Sequence, residues 1–142
     1  MKVKICGITG IGDAIAAIEA GADYMGFVFA RSQRMIDFKR AEEICAELER
    51  LGMRKRICIA GVFVNETEDV MRSYVAGGVI DTAQVHGDEP AGQCARFDFP
   101  YIRAMRVKDL AVPGEAERLE RDVPVLTCGT VIIDSFSEKV YG

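Results

Sequence analysis

Apolar, strand-like runs alternate with amphipathic, helix-like stretches along the whole 142-residue chain, and this alternation limits the fold more than any single residue does. The runs begin near residues 3, 24, 57, 82, 101 and 131, at intervals of about 19 to 33 residues. A strand with its crossover helix takes about 30 residues, fewer when trimmed, so each interval holds one βα unit. The runs over 24–29 and 57–64 are apolar on both faces, as strands buried in a parallel sheet are. Between them, Ile44, Leu48 and Leu51 fall at helical spacing within 41–51. The first helix is expected over 14–20, with Asp13 as its cap, Ala14, Ile15 and Ile18 on its apolar face, and Gly21 closing it. Further helices are expected over 66–74, stopped by Gly77-Gly78, and over 115–121. Pro90 suits the first turn of a helix that begins after Asp88 and Glu89. Strands are expected near 82–85, over 101–107 and over 131–134. No long linker or low-complexity stretch interrupts the pattern, so residues 1–142 read as one domain.

Two parallel architectures fit: a doubly wound sheet and a (β/α)8 barrel. A dinucleotide-binding sheet calls for G-x-G-x-x-G after a strand, and that pattern is missing here. Polar residues gather instead at the carboxyl ends of several strands: Cys6, Arg34 beyond strand two, Asn65, Gln84 with His86, Arg106 with Lys108, and Asp134. Convergence from many strand ends is the arrangement of the (β/α)8 TIM-barrel type. Six units make about three-quarters of such a barrel, which usually needs about 200 residues or more.

The first strand ends in a thiol. Val3 and Ile5 favour an extended strand, while Lys4 and Cys6 alternate with them and share the other face. Gly7 permits a tight exit. A cation thus sits two residues before a cysteine at the ligand-binding end of a parallel fold. Two readings of Cys6 stay open on position: a reactive thiol, or a small packed apolar residue.

Composition removes whole classes of function. A formal net charge of −4 and the lack of any basic run argue against a nucleic-acid partner. No apolar stretch approaches the ~20 residues of a membrane span, and no signal-like segment precedes Val3. The cysteines at 6, 45, 58, 94 and 128 are odd in number and form no CxxC pair. They offer neither a zinc site nor a disulfide framework, and reduced thiols in a cytoplasm are expected. With His86 as the single histidine, no metal site is expected.

Seven motifs occur in order: Lys4-Ile5-Cys6-Gly7-Ile8-Thr9, Gly21-Ala22-Asp23, Gly26-Phe27-Val28-Phe29, Ser32-Gln33-Arg34, Gly61-Val62-Phe63-Val64-Asn65, Gln84-Val85-His86-Gly87-Asp88-Glu89 and Ile133-Asp134. Together they resemble the phosphoribosylanthranilate isomerase family, and the resemblance runs over the whole chain and covers that family's first six strands. It implies a (β/α)8 barrel and an Amadori rearrangement of N-(5-phosphoribosyl)anthranilate, an aminoaldose, to an aminoketose in tryptophan biosynthesis. An acid opens the ribose ring to a Schiff base and a base removes the C2 proton. In the family the strand-one cysteine is the base and the strand-six aspartate the acid, which puts these roles on Cys6 and Asp134. Lys4 is the cation that would favour the thiolate.

Arg34 matches the arginine that meets the anthranilate end, where a planar guanidinium fits a carboxylate. Without the resemblance it reads as a solvated loop residue. Gln84 and His86 share one face of strand four and point to the barrel mouth as substrate contacts; for His86, satisfying a neighbouring strand end stays open as well. Asp134 ends an apolar strand, where a lone carboxylate is costly to bury, which favours function. Asn65 and Arg106 read as loop-capping or core-lining groups, and the other four cysteines as packing residues. The implied partner is a small phosphorylated substrate, with no cofactor.

The sequence carries Val85 where the family usually has leucine and Gln33 where it often has proline. The family's glycine-rich loop and strands seven and eight, with the expected phosphate site, have no counterpart here. Strands one and six are then expected to leave apolar edges that invite self-association. The competing function is an inactive partial barrel that serves only as an assembly module. A thiol redox protein is disfavoured, because no second cysteine lies near Cys6.

Overall fold

The computed structural model describes residues 1–107 and 111–135. Six strands pair in parallel, β1 (Lys4–Cys6), β2 (Tyr24–Val28), β3 (Cys58–Phe63), β4 (Thr82–Val85), β5 (Tyr101–Val107) and β6 (Val131–Ser135). Between them run α1 (Ile11–Glu19), α2 (Phe38–Arg50), α3 (Glu68–Ala76), α4 (Ala91–Cys94) and α5 (Glu115–Asp122). The spatial order of the strands is the chain order. Every crossover therefore steps one strand in the same direction, as in a barrel, whereas a doubly wound sheet reverses at a switch point.

The strand register fixes which side chains share a face. Cys6 pairs Gly26, Gly26 pairs Ala60 and Ala60 pairs Thr82. Gln84 pairs Ile102, and Arg106 pairs Asp134. Alternation along each strand then puts Lys4, Cys6, Gln84 and Asp134 on one face. That face is concave. Adjacent strands lie about 4.8 Å apart, so in a flat sheet β1 and β4 would be separated by about 14 Å. Lys4 Nζ nevertheless reaches Gln84 Oε1 at 2.7 Å. The sheet is a curled half-barrel.

The core lies on the convex side. Met25, Phe27, Ile59, Phe63 and Val85 project there against Ala14 and Ile18 of α1, Ala41, Ile44 and Leu48 of α2, and Met71 of α3, all buried. Each fully buried large side chain contributes roughly 1.5–3 kcal/mol of transfer free energy, enough to hold short helices that would be marginal alone. Several helix starts move from their expected positions: α2 begins at Phe38 rather than 41, α3 at Glu68 rather than 66, and Pro90 is the N-cap of α4 rather than part of its first turn. Asp37 caps α2 by accepting from the Arg40 amide, and Thr67 caps α3 by accepting from Val70. Gly21 takes a left-handed φ of 79° just past α1.

Two further local expectations change. Helix α1 starts at Ile11 after an extended Gly10, so Asp13 sits inside its first turn and favours the helix dipole rather than capping. Leu51 is the 40% exposed C-cap of α2, whose apolar stripe is already complete in Ala41, Ile44, Cys45 and Leu48. Lys108, grouped above with Arg106, lies outside the described residues. Among the described residues no helix is long and apolar enough to cross a membrane.

One buried ion pair ties the sheet to the loop that follows β4. Arg103, in mid-β5, meets Glu89 at 3.2 Å, with side chains 9% and 5% exposed. The guanidinium also donates to the carbonyls of Val85, Gly87 and Glu89. The second Glu89 oxygen, Oε1, accepts from the Asn65 amide at 2.7 Å, joining the ends of β3 and β4. Glu89→Gln leaves a buried guanidinium without its counter-charge, and a loss of about 3 kcal/mol is expected. The urea midpoint should fall with the m-value unchanged; a midpoint equal to that of the unmodified protein would contradict this.

Candidate active site

The concave face opens at the carboxyl ends of the strands into a cavity of about 250 Å³. Lys4, Cys6, Arg34, Gln84, His86 and Asp134 all line it, with Val28, Val62 and Ile132 as apolar neighbours. The structure thus brings together every site residue singled out in the sequence. Cys6 and Asp134 come from β1 and β6, the two outer strands of the described sheet, and only the curl makes them neighbours.

Local backbone chemistry positions each group. Gly7, with φ of 86°, turns the chain out of β1, and a Cβ there would lie 2.6 Å from the Arg34 side chain. The glycine is needed twice, for its conformation and for that close approach. Arg34 Nη1 donates to the Cys6 carbonyl at 2.9 Å. The loop carrying Arg34 folds back on β2, with the Ile36 amide donating to the Val28 carbonyl at 2.9 Å and Ser32 Oγ accepting from the Arg34 amide. Gly26 makes room on the neighbouring strand: a Cβ there would lie 2.8 Å from Cys6 Sγ and 3.0 Å from Lys4 Nζ.

The polar groups form one connected chain. Lys4 Nζ lies 3.3 Å from Cys6 Sγ and donates to Gln84 Oε1. Gln84 Nε2 lies 3.5 Å from His86 Nδ1, a long contact, and His86 Nε2 lies 3.0 Å from Asp134 Oδ2. His86 is 5% exposed. Its Nε2 thus meets the carboxylate of Asp134 on β6, two strands away, and the side chain also lines the cavity. The His86 amide extends the β4 ladder by donating to the Phe63 carbonyl. Asp134, with a one-third exposed side chain, and the half-buried Cys6 remain open to the cavity.

The other cysteines do not line this cavity. Burial pushes the thiols of Cys45, Cys58 and Cys94 up from the ordinary value, away from the reactive thiolate. Cys128 is a partly buried neighbour of the core. Asn65, at φ of 53°, accepts from the Asp88 amide, and Arg106 turns to Asp88, so both serve the loops as the sequence suggested. Among the described residues no cluster of His, Cys, Asp or Glu could hold a metal ion.

Sequence reasoning missed the Glu89–Arg103 pair and the steric role of Gly26. The first had a signal, a charge inside the apolar run Tyr101-Ile102-Arg103-Ala104-Met105. The second had none, because a glycine in a strand does not name what approaches it.

A one-way parallel βα array with a thiol, a carboxyl and cations converging at the strand ends defines a TIM-barrel-type protein with an enzyme-like site. Residues 3–135 match the family described as N-(5'phosphoribosyl)anthranilate (PRA) isomerase. The chain belongs to this family. Relatives named N-(5'-phosphoribosyl)anthranilate isomerase include one from Listeria monocytogenes, 42% identical over 113 residues, covering 80% of this chain and 54% of the relative. Another, from Pseudomonas fluorescens, is 42% identical over 143 residues, covering all of this chain and 65% of its own length. The crystal structure of phosphoribosyl anthranilate isomerase from Thermotoga maritima superposes with a TM-score of 0.81 at 30% identity, over 100% of this chain and 65% of that one. A structure of the enzyme in complex with reduced 1-(o-carboxyphenylamino)-1-deoxyribulose 5-phosphate has a TM-score of 0.77 at 31% identity, over 96% of this chain and 66% of that one. The chain spans between about half and two thirds of the length of the curated relatives it matches.

Proposed function

We propose that this chain carries the acid, the base and the carboxylate clamp of an isomerase acting on N-(5-phosphoribosyl)anthranilate in tryptophan biosynthesis. The observation that carries this is the opening of Cys6 and Asp134, from the two outer strands, into one cavity beside Arg34. Arg34 takes the anthranilate carboxylate bidentately. Asp134 gives its proton to the ribose ring oxygen as the C1–O bond breaks and the nitrogen lone pair forms C1=N. The Cys6 thiolate, beside the Lys4 ammonium, takes the C2 proton. The C2–H electrons become C1=C2, the C=N pair returns to nitrogen, and the enolamine tautomerises to the aminoketose. Oxidation at C2 balances reduction at C1 within one molecule, so no external oxidant enters and the implied cofactor is none.

Gln84 and His86 line the same wall as secondary substrate contacts. A phosphorylated substrate and free thiols at all five cysteines support a cytoplasmic site of action. A continuous buried cluster from Ile8 to Tyr101, with Leu126 and Cys128 packed against it, supports one domain over the described residues.

Turnover is followed by the loss of substrate fluorescence. Cys6→Ser and Asp134→Asn are each expected to lower kcat by about 10²- to 10⁴-fold with the circular dichroism unchanged. An unmodified protein without turnover, or variants that turn over normally, would contradict the assignment.

Self-association is the second part of the proposal. Ile5 on β1 is 37% exposed and Ile133 on β6 58% exposed, and each outer strand has a single strand partner among the described residues. Light scattering is expected to give a mass of two or more chains, reduced to one by Ile133→Lys; a monomer at high concentration would count against it.

A further inference from the structure

Lys4 has a second task that reaches the opposite side of the cavity. Its ammonium is a donor only, so the Gln84 atom that it meets at 2.7 Å must be the amide oxygen. The Gln84 amino group then faces His86 Nδ1 and leaves that nitrogen the acceptor role. A neutral imidazole carries one proton, so the proton is on Nε2, which donates to Asp134 Oδ2. The Asp134 side chain makes no other hydrogen bond among the described residues, and it lines the cavity.

We propose that Lys4 and Gln84 are positioning residues that lock His86 as its Nε2–H tautomer, and that this lock aims the proton of Asp134 into the cavity. The claim rests on the role given to Asp134 above. A neutral carboxyl accepts through one oxygen and donates through the other. With Oδ2 already accepting from His86, the acidic proton sits on Oδ1. The opposite tautomer would present a bare Nε2, which would draw the proton onto Oδ2 and point it at the histidine. A single amide orientation, held from β1, thus decides whether the acid on β6 faces the sugar.

His86 is the sole histidine of these 142 residues, so a histidine-labelled ¹⁵N spectrum of the 142-residue protein reports its tautomer, with His86→Asn as the blank. The unmodified protein should show a proton-bearing Nε2 and a bare Nδ1. Gln84→Glu replaces the donor at Nδ1 by an acceptor, and the pattern should invert. In the isomerase assay that variant should lose about 10²-fold in kcat, a fall larger than any accompanying rise in KM. In a His86→Gln background, whose amide must still donate to Asp134, Gln84→Glu should cost less than about 3-fold, because the switching group is gone. Gln84→Met, which can neither donate nor accept, should give a mixed spectrum and an intermediate kcat; it stands in if the Glu variant does not fold.

A bare Nε2 in the unmodified protein, or a pattern unmoved by Gln84→Glu and Gln84→Met, overturns the lock whatever the protein catalyses. An inverted spectrum with full kcat overturns the link to the acid. A protein without turnover removes the isomerase reading and with it that link, while the spectrum still decides the lock.

Discussion

The curl of the sheet is the constraint on which everything else depends. Cys6 and Asp134 stand on the outer strands of a six-stranded parallel sheet, and a flat sheet would hold them about 24 Å apart. Curvature brings both to one cavity, and polar side chains span it, from Lys4 across to Gln84 and from His86 across to Asp134. Small residues on the inner face make the space: Gly26 beside Cys6 and Lys4, Ala60 beside Gly26, and Ala104 on β5. The convex face is the opposite in character, with Phe27, Phe63 and Met25 fully buried under the helices. Bulk outside and small side chains inside favour the same direction of bend.

Stability and chemistry are separated along the strands. The apolar core fixes the outer faces, while the carboxyl ends carry groups whose positions depend on hydrogen bonds. The loop after β4 shows how the two meet. Glu89 and Arg103 form a buried pair that clamps Gly87 and the strand end, and this clamp holds the backbone on either side of His86. Such a pair is costly to desolvate and costlier to break, so its effect is to specify one loop geometry more than to add net stability.

The element pattern was legible in the sequence because parallel strands buried on both faces leave long apolar runs, and β4 and β5 fall where the residues put them. Helix starts were less legible: α1 begins at a glycine without any side-chain cap, so the only acidic residue nearby drew the boundary too late. The site residues were readable one by one at strand ends, and the resemblance named their roles. Their connections were not readable. The Lys4–Gln84 bond joins residues 80 positions apart, and its length depends on sheet curvature, which no local pattern encodes. His86 illustrates the same limit: alternation places it on the inner face, but only the bend decides that its partner is Asp134.

The most direct measurement is a crystal structure of the protein with a reduced aminoketose product analogue. The account predicts the analogue's carboxylate on the Arg34 guanidinium and its C1–C2 segment between Cys6 Sγ and the free oxygen of Asp134. An analogue bound elsewhere, or Cys6 and Asp134 on different faces of the sheet, would contradict it.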